Sequence, residues 1–344
     1  MLSTLLDRTL PAAVAAAGFS GVTLVARGDD VVVRCFGLAN RPFGVPNQRQ
    51  TRFRIASVGK MYTAVAVLRQ VAQGRLRLSD RVVDRIDLRG AAISEAVTLH
   101  HLLSMTAGIA DWYEEGGDSP DTWASLAERT PLYRLRTNSD FLPLFVHKAA
   151  QFAPGTGYAY SNASYILLGL VLEQALGCPY AEVLQREVFA PAGMAASGLW
   201  GLDEVVDQVA EGYTTTAAGA RRNIYLSTGP AADGGATSTV DDLRAFFVAL
   251  RTGALLPPAL VQAMTTAHGD DGEGRGYRWG YGYGLNLLHG MDGALVRYGH
   301  TGEEDGVSAR AWHYPGLGID VVLLGNETGC VGDVGWAVHG AVVG

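Results

Sequence analysis

The chain has 344 residues, of which 48% are hydrophobic and 18% are charged, and its formal net charge is -7. This length and apolar fraction predict a well-packed protein of roughly two domains and exclude a disordered chain. The longest basic run is Arg221-Arg222, so neither nucleic acid nor an anionic membrane surface is an expected partner.

The N-terminal segment predicts an amphipathic helix rather than a secretory signal. Asp7 lies early, no basic segment precedes the apolar stretch, and the alanine-rich part at 12–18 is short. No stretch reaches transmembrane length without charges or turn residues. The cysteines Cys35, Cys178 and Cys330 are far apart and lack metal-ligand spacing. We therefore expect buried thiols in a cytoplasmic protein, with neither a metal nor another cofactor.

A β-hairpin is predicted next, followed by a helix. Apolar residues at 21–26 and 31–36 flank a polar turn at 27–30, which is typical of two antiparallel strands. The segment after Ser57 has helical periodicity and stops at Gly74.

The start of this helix carries a serine and a lysine three residues apart. Lys60 is one of two lysines in a chain with 27 lysines and arginines together. A lysine can lose its proton when it is buried or crowded by charge, whereas an arginine keeps it. The pattern Ser57-x-x-Lys60 therefore predicts a nucleophile beside a base, with the backbone N–H of Ser57 free to stabilise an oxyanion. The alternative is an N-cap serine followed by a surface lysine, and residues elsewhere must decide between the two.

The middle of the chain, from Leu76 to about Tyr225, predicts mostly helices with long loops and few strands. The better helix candidates there are 99–105, 140–150, 165–176 and 180–189.

Beyond Gly234-Gly235 two more helices are predicted, one opened by Ser238-Thr239 and one after Pro257-Pro258. The periodicity then changes to that of strands separated by short turns. The strand candidates are 281–288, 294–298, 307–314 and 319–324, and a helix at 334–343 closes the chain.

These elements predict an α/β fold of the α+β type, with an antiparallel β-sheet built from both ends of the chain and flanked by helices. The sheet domain would comprise residues 1–74 and 232–344, and residues 75–231 would form an inserted, mainly helical domain. Ser57 would lie at the junction, where clefts commonly form.

Two further motifs accompany the serine and the lysine. Residues 160–162 read Tyr-Ser-Asn and open a predicted helix, and residues 298–302 read Tyr-Gly-His-Thr-Gly, ending one strand and leading into the next. Alone, the first would be a helix cap and His300 a strand-end histidine. With Ser57-x-x-Lys60 they complete the ordered set S-x-x-K, Y-x-N and H-T-G, a variant of the set that serine β-lactamases and penicillin-binding proteins carry.

With this set the chain resembles the class C β-lactamase and DD-peptidase superfamily, which also includes carboxylesterases, D-aminopeptidases and biosynthetic acyltransferases. The resemblance runs over nearly the whole chain. It also includes, in order, the segments 102–109, 154–155, 189–194 and 234–243.

The resemblance implies a role for each motif residue. Ser57 would be the nucleophile that forms an ester with the acyl part of the substrate, and Lys60 with Tyr160 would remove its proton. The amine and the phenol titrate as a coupled pair, so the base is not assigned to one of them. Asn162 would either donate to the substrate carbonyl or orient Lys60, and His300 would hydrogen-bond Tyr160.

The resemblance also implies an oxyanion hole made of the backbone N–H groups of Ser57 and Glu303. Trp112 and Tyr113 either line the acyl pocket or cover the core. The suggested substrate contacts are Trp112, Tyr113, Thr301, Gly302 and Glu304.

The residues after the third motif depart from the superfamily's β-lactam-recognising members. Those members carry small hydroxyl residues that bind a substrate carboxylate, whereas this chain has acids at 303–305. Asp111, Glu114 and Glu115 are expected to approach the same cleft. Because acids repel an anion, the predicted substrate is neutral or carries an amine; solvated turn residues are the alternative.

The predicted function is a serine hydrolase or transacylase that cleaves an ester or amide through an acyl-Ser57 intermediate. The acyl group of a small-molecule or peptide-like substrate would pass to water or to an amine or alcohol. The alternative is a penicillin-binding or sensing module that is acylated once and stays so. Such sensors normally need a membrane tether, which the sequence does not predict. The motifs fix neither the acyl donor, the acceptor nor the oligomeric state.

Overall fold

The computed structural model describes residues 2–113, 123–216, 219–222, 229 and 231–344. Among these residues the α-helices are α1 (Leu2–Ala17), α2 (Lys60–Ala72), α3 (Leu99–Leu103), α4 (Trp123–Arg129), α5 (Asn138–Phe141), α6 (Asn162–Leu176), α7 (Tyr180–Leu184), α8 (Ala190–Ala192), α9 (Val240–Arg251), α10 (Pro258–Met264) and α11 (Gly332–Val343). The strands are β1 (Gly21–Arg27), β2 (Asp30–Phe36), β3 (Leu38–Asn40), β4 (Val45–Pro46), β5 (Phe53–Arg54), β6 (Tyr213–Thr216), β7 (Gly219–Arg222), β8 (Thr237–Ser238), β9 (Gly269–Gly274), β10 (Tyr277–Tyr281), β11 (Asn286–Gly290), β12 (Leu295–Glu304), β13 (Val307–Tyr314) and β14 (Ile319–Gly325).

Eight of the strands form one antiparallel sheet in the order β2-β1-β14-β13-β12-β11-β10-β9. The N-terminal hairpin joins the C-terminal strands through β1 and β14, where Val22 lies opposite Leu324. Its two-residue turn contains Gly28, whose φ of +54° is a left-handed conformation that favours glycine. The predicted antiparallel sheet, built from both ends of the chain and flanked by helices, is confirmed.

Different helices cover the two faces of this sheet, because successive side chains of a strand point to opposite sides. On one face Leu24 and Val322 belong to the main core, which includes most of α2 and α6. On the other face Val25 and Val321 pack in a smaller core with α1 and α11. Helix α2 is thereby enclosed, and its first residue, Lys60, is completely buried.

Several predicted element boundaries need correction. The predicted strand 281–288 is two strands, β10 and β11, separated by a turn in which Gly284 has a φ of +68°. Strand β12 continues to Glu304, so the His-Thr-Gly motif lies inside a strand rather than at its end. The predicted helix 140–150 stops by residue 144, because Pro143 lacks the N–H that an α-helix needs.

Seven of the described strands were not predicted: β3, β4, β5 and β8 have only two or three residues each, and β6, β7 and β9 have polar sequences. Strands β6 and β7 form a hairpin in a region expected to contain few strands. Strand β9 reads Gly-Asp-Asp-Gly-Glu-Gly and pairs with β10. A strand held by backbone pairing without an apolar face leaves no hydrophobic alternation to detect.

The cysteines only partly match the expectation of buried thiols. All three are free, Cys330 is buried and Cys178 is half-buried. Cys35 is exposed, since it lies near the edge of the sheet on β2.

Helices α3 to α8 and the β6–β7 hairpin lie between residues 75 and 231, where the helical domain was predicted. The division into a sheet domain of residues 1–74 and 232–344 and a helical domain of residues 75–231 stays a prediction. In the described part of the chain no single helix is long and apolar enough to cross a membrane, and one bent pair, Asn162–Leu176 with Tyr180–Ala192, reaches the required length and composition.

Candidate active site

Ser57 lies on a short 3-10 turn, Ala56–Gly59, that continues into α2. Ala56 has a φ of +43°, a left-handed conformation that is strained for any residue with a Cβ. Gly234 packs against this turn, because a Cβ at position 234 would lie 3.2 Å from the carbonyl carbon of Ala56. The strained turn presents Ser57 to a cavity while Lys60 enters the protein interior.

The side chain of Lys60 reaches back to the serine, as the spacing predicted. Its Nζ lies 2.9 Å from Ser57 Oγ, 2.6 Å from Asn162 Oδ1 and 2.7 Å from the carbonyl oxygen of Asp233. The last two oxygens can only accept hydrogen bonds. The oxygens of Asn162 and Asp233 therefore each accept an N–H of the Lys60 amine. The remaining position on Nζ faces Ser57: it is a third N–H when the lysine is protonated and a lone pair when it is neutral. Lys60 can therefore exchange a proton with Ser57 without moving.

Asn162 is the first residue of α6, and its amide joins Lys60 to a buried acid. Oδ1 accepts from Lys60, and Nδ2 donates to Asp111 Oδ2 at 3.0 Å. These contacts fit the second of the two expected roles, the orientation of Lys60.

His300 has other partners than Tyr160, which corrects the predicted hydrogen bond between them. Its Nδ1 lies 2.6 Å from the carbonyl oxygen of Thr301, so Nδ1 carries the hydrogen. Nε2 therefore accepts from the hydroxyl of Tyr281 at 3.1 Å. Burial, and then the charge of Lys60, lower the pKa of His300 to about 3, so the imidazole is neutral.

Tyr160 lies beside the lysine and at the cavity. The Nζ atom of Lys60 is 5.0 Å from the centroid of its ring, within cation–π range. The ring of Tyr281 packs edge-on against it at 6.1 Å. Burial, together with the neighbouring tyrosines, raises the pKa of Tyr281 well above its ordinary value. Tyr281 thus stays protonated and donates to His300, and Tyr160 is the phenol that both lies beside Lys60 and lines the cavity.

Strand β12 passes directly against the serine turn. A Cβ at position 302 would lie 2.1 Å from the carbonyl oxygen of Ile55 and 3.2 Å from the amide nitrogen of Ser57, so only glycine fits at Gly302. The N–H of Thr301 donates to Asn286 Oδ1 at 3.1 Å, toward β11. Backbone N–H groups two residues apart on a strand point to the same side, so the N–H of Glu303, like that of Thr301, points to the β11 side of β12.

A cavity of about 310 Å³ opens beside Ser57. Five of the predicted site residues line it: Ser57, Tyr160, His300, Thr301 and Glu303. Lys60 and Asn162 are buried behind Ser57. The cavity also has three wall residues that were not predicted: Tyr158, Asp271 and Asn286.

The acids expected in the cleft take different positions. Glu303 lines the cavity, and its carboxylate is paired with Arg310 at 2.7 Å and Ser308 at 2.9 Å. Glu304 is not among the cavity-lining residues that the structure describes; it attracts Arg54 electrostatically.

Asp111 is 3% exposed and faces the start of α6 rather than the cleft, which corrects its predicted place. Glu114 and Glu115 lie outside the described residues.

Trp112 covers the core and does not line the pocket beside Ser57, which decides between its two expected places. It is 3% exposed, and its indole Nε1 donates to Asp233 Oδ2 at 3.0 Å. Its ring packs edge-on against Phe141 at 5.0 Å. Tyr113 is partly buried and also packs against the core.

The residues that sequence analysis missed carry different signals. Tyr158 lies two residues before Tyr160, which would place the two on one side of an extended segment, so it was detectable. Asp271 is on the polar strand β9, whose pairing gives no sequence signal. Asp233 contributes its backbone carbonyl to Lys60, and a backbone contact is independent of residue type.

The site therefore combines a hydroxyl, a buried amine, a phenol and the backbone of the serine turn and of strand β12 around one cavity. This arrangement suits attack of an alkoxide on an acyl group and stabilisation of the resulting oxyanion. Within the described ranges, no cluster of three or more histidine, cysteine, aspartate or glutamate side chains is suited to hold a metal ion.

Known proteins are similar to this chain in sequence and in architecture. The model of the Beta-lactamase family matches residues 6–337. Esterase EstB of Burkholderia gladioli is 30% identical over 335 residues, which cover 89% of this chain and 85% of the esterase. The crystal structure of a penicillin-binding protein from Bacillus halodurans is similar with a TM-score of 0.88 and 33% identity, covering 96% of this chain and 98% of that one. EstCE1, a hydrolase with promiscuous acyltransferase activity, is similar with a TM-score of 0.82 and 27% identity, covering 100% and 98% of the two chains.

Proposed function

This chain belongs to the beta-lactamase family, and we propose that its residues carry out acyl transfer in the following way. The protein is a serine hydrolase or acyltransferase of the β-lactamase-like superfamily that acts on an ester or amide. The observation that carries the proposed mechanism is the buried Lys60 amine 2.9 Å from the hydroxyl of Ser57, which lines the cavity.

Acylation begins when Ser57 loses its proton to the Lys60–Tyr160 pair and its Oγ attacks the acyl carbon. The oxyanion accepts hydrogen bonds from the backbone N–H groups of Ser57 and Glu303. The pair returns the proton to the leaving alcohol or amine, and an acyl ester of Ser57 remains. Water, or an amine or alcohol, then attacks this ester with the same pair as base, and Ser57 is released with its proton. EstCE1 is described as both hydrolase and acyltransferase, which supports the inclusion of transfer.

The proposed substrate is neutral or carries an amine near the scissile bond. The cavity walls contain two carboxylates, Asp271 and Glu303, whereas the described lining residues include no cationic side chain once His300 is neutral. Arg310 neutralises much of the charge of Glu303. Burial raises the pKa of Asp271 and the nearby Asp270 adds to this, although a hydrogen bond with Tyr158 lowers it. Because Arg310 already pairs with Glu303, Asp271 is the lining acid that is better placed to contact an ammonium group.

Matched amides test this substrate class. Alanine p-nitroanilide has a free amine, N-acetylalanine p-nitroanilide is neutral, and N-succinylalanine p-nitroanilide carries a carboxylate. We expect kcat/KM to be lowest for the succinyl compound, and we expect Asp271→Asn to reduce the preference for the free amine by about tenfold. A preference for the carboxylate in the unaltered enzyme would contradict the proposal.

Turnover separates the enzyme from a module that is acylated once. With p-nitrophenyl acetate the enzyme should release many equivalents of p-nitrophenol per chain, and Ser57→Ala should release none above background. Addition of an alcohol or amine should divert the acyl group if transfer occurs. A single stoichiometric burst without turnover would support the sensing module instead.

We also propose a cytoplasmic location. The exposed thiol of Cys35 is free, and exposed free thiols persist in a reducing compartment. Measuring the protein in fractionated cells tests this directly, and recovery outside the cytoplasm would refute it.

A further inference from the structure

We propose that Asp111 is a positioning residue for acylation, which fixes the amide of Asn162 so that its oxygen faces Lys60 and thereby sets the orientation and proton affinity of the lysine. This inference rests on the proposed function, because it assumes that Lys60 exchanges a proton with Ser57. Asp111 itself is buried behind Asn162 and does not contact the substrate cavity.

The carboxylate of Asp111 is held at the start of α6. Oδ2 accepts from the backbone N–H of Asn162 at 2.8 Å, and Oδ1 accepts from the N–H groups of Ala163 and Trp112 at 2.8 Å each. Helix α6 has 15 residues, so its free N-terminal N–H groups and dipole favour an anion there. With both oxygens held, the carboxylate has a defined position relative to Asn162.

That position determines which way the amide of Asn162 points. An asparagine amide has an oxygen that accepts and a nitrogen that donates, and the two differ little in shape. An ionised carboxylate only accepts, so Asp111 Oδ2 selects Nδ2, at 3.0 Å. Oδ1 is then left to face Lys60, at 2.6 Å. In the flipped amide an NH2 group would face the lysine ammonium, and both hydrogen bonds would be lost.

The amide orientation matters for the proton on Lys60. Asn162 Oδ1 and the carbonyl of Asp233 are the two acceptor-only oxygens that leave the third position of the amine aimed at Ser57. If Asn162 Oδ1 is removed, the amine can rotate and its lone pair no longer points at the serine hydroxyl. Asp111 thus acts on the nucleophile through two intermediate side chains.

The charge of Asp111 acts on the same amine. Burial raises the pKa of Asp111 to about 7, while the N–H groups of Asn162, Ala163 and Trp112 and the charge of Lys60 lower it. Above about pH 7 this carboxyl is mostly ionised, and an anion one amide away stabilises the ammonium form of Lys60.

Other charged and titratable groups face this cluster. Lys148 Nζ donates to the backbone carbonyl of Asp111 at 2.9 Å, and the Asp233 carboxylate accepts from the indole of Trp112. On the other side of Lys60 are the phenol of Tyr160 and the neutral imidazole of His300. The Asp111→Asn substitution leaves all of these groups in place and removes one negative charge.

The test is the pH dependence of acylation in Asp111→Asn, measured with p-nitrophenyl acetate. We expect kcat/KM to fall about 10²-fold, because the new amide cannot hold Asn162 and accept both helix N–H groups. We also expect the ascending limb of the kcat/KM profile to move to lower pH by about one unit, since loss of the anion lowers the pKa of the Lys60 ammonium. A residue that only stabilised the helix would leave that limb where it is.

Asp242→Asn is the matched control. Asp242 is also a buried carboxylate at the start of a helix, where it accepts from the N–H of Ala196 and the hydroxyl of Ser197, and it is not part of the site. It should lower stability and leave the pH profile unchanged. If Asp111→Asn does not fold, the same profile is recorded for Asp111→Ser, whose hydroxyl still accepts one helix N–H.

These measurements distinguish failure of the Asp111 inference from failure of the proposed function. An acyl adduct on Ser57 of the unaltered protein establishes the nucleophile independently of Asp111. If that adduct forms and a folded Asp111 variant keeps both its kcat/KM and its ascending limb, or loses activity with the limb unmoved, the inference is overturned. If the unaltered protein forms no adduct on Ser57, the proposed function itself fails.

Discussion

Replacement of Lys60 by arginine isolates the contribution of the base from that of the charge. Lys60 Nζ is completely buried and lies within 3 Å of three oxygens, those of Ser57, Asn162 and Asp233. A guanidinium keeps the positive charge but has no lone pair to accept the serine proton. Loss of general base catalysis costs about 10²–10⁴-fold in rate, which corresponds to roughly 3–5 kcal/mol in activation free energy. We therefore expect kcat/KM of Lys60→Arg to fall by at least about 10²-fold.

The assay is pre-steady-state release of p-nitrophenol, together with chemical denaturation to show that the variant is folded. The larger side chain in a closed site should also lower the free energy of unfolding by about 1–3 kcal/mol. Lys148→Arg is the matched control, because Lys148 is the other lysine of the chain and lies outside the cavity. Lys148 donates to the backbone carbonyl of Asp111, and a guanidinium can also donate to that acceptor. It should keep its activity within about twofold. A folded Lys60→Arg variant with more than about a tenth of the activity would refute the assignment of Lys60 as part of the base.

Three further substitutions or measurements follow from the site. Tyr160→Phe should slow acylation by about 10²-fold with little change in melting temperature, since the lost hydroxyl is at the cavity; unchanged acylation kinetics would count against the coupled base. Gly302→Ala should reduce both stability and acylation, because its Cβ would lie 2.1 Å from the carbonyl oxygen of Ile55; a variant that melts and reacts normally would contradict the close packing of β12 on the serine turn. His300 should show no imidazole titration by NMR between about pH 5 and pH 8, because its pKa is lowered to about 3. The stability that its neutral form contributes should be lost only as the pH falls below about 6.5 toward 3. A titration near pH 6.5 would show that the imidazole is not buried as described.

The parts of the site that depend on local spacing could be predicted from the sequence. Ser57 and Lys60 are three residues apart, and helical geometry alone brings their side chains together. The ordered motifs, and the resemblance that they support, also brought Tyr160 and His300 to the same cavity from distant segments.

The partners of these residues could not be predicted, because they depend on tertiary packing. The sequence predicted a contact between His300 and Tyr160, whereas the buried imidazole hydrogen-bonds Tyr281 and the carbonyl of Thr301. The sequence predicted Asp111 in the cleft, whereas the N–H groups of Asn162 and Ala163 at the start of α6 bind its carboxylate in the interior.

Strand predictions succeeded for longer strands with one or two apolar faces and failed for strands that are very short or polar. Strand β13 was predicted at its observed bounds, and it is buried for most of its length. Strand β9 consists of glycine and acids, so neither alternation nor β propensity indicated it, and Asp271 on the cavity wall was missed for the same reason.

The identity of the acylated residue is the strongest test of Ser57 as the nucleophile. The protein is exposed to an activated ester, and the adduct is located by intact mass spectrometry and peptide mapping in the unaltered chain and in Ser57→Ala. We predict one acyl group per chain on the peptide that contains Ser57 and none in Ser57→Ala. Turnover that persists in Ser57→Ala, or an adduct that maps to a different residue, would show that Ser57 is not the nucleophile.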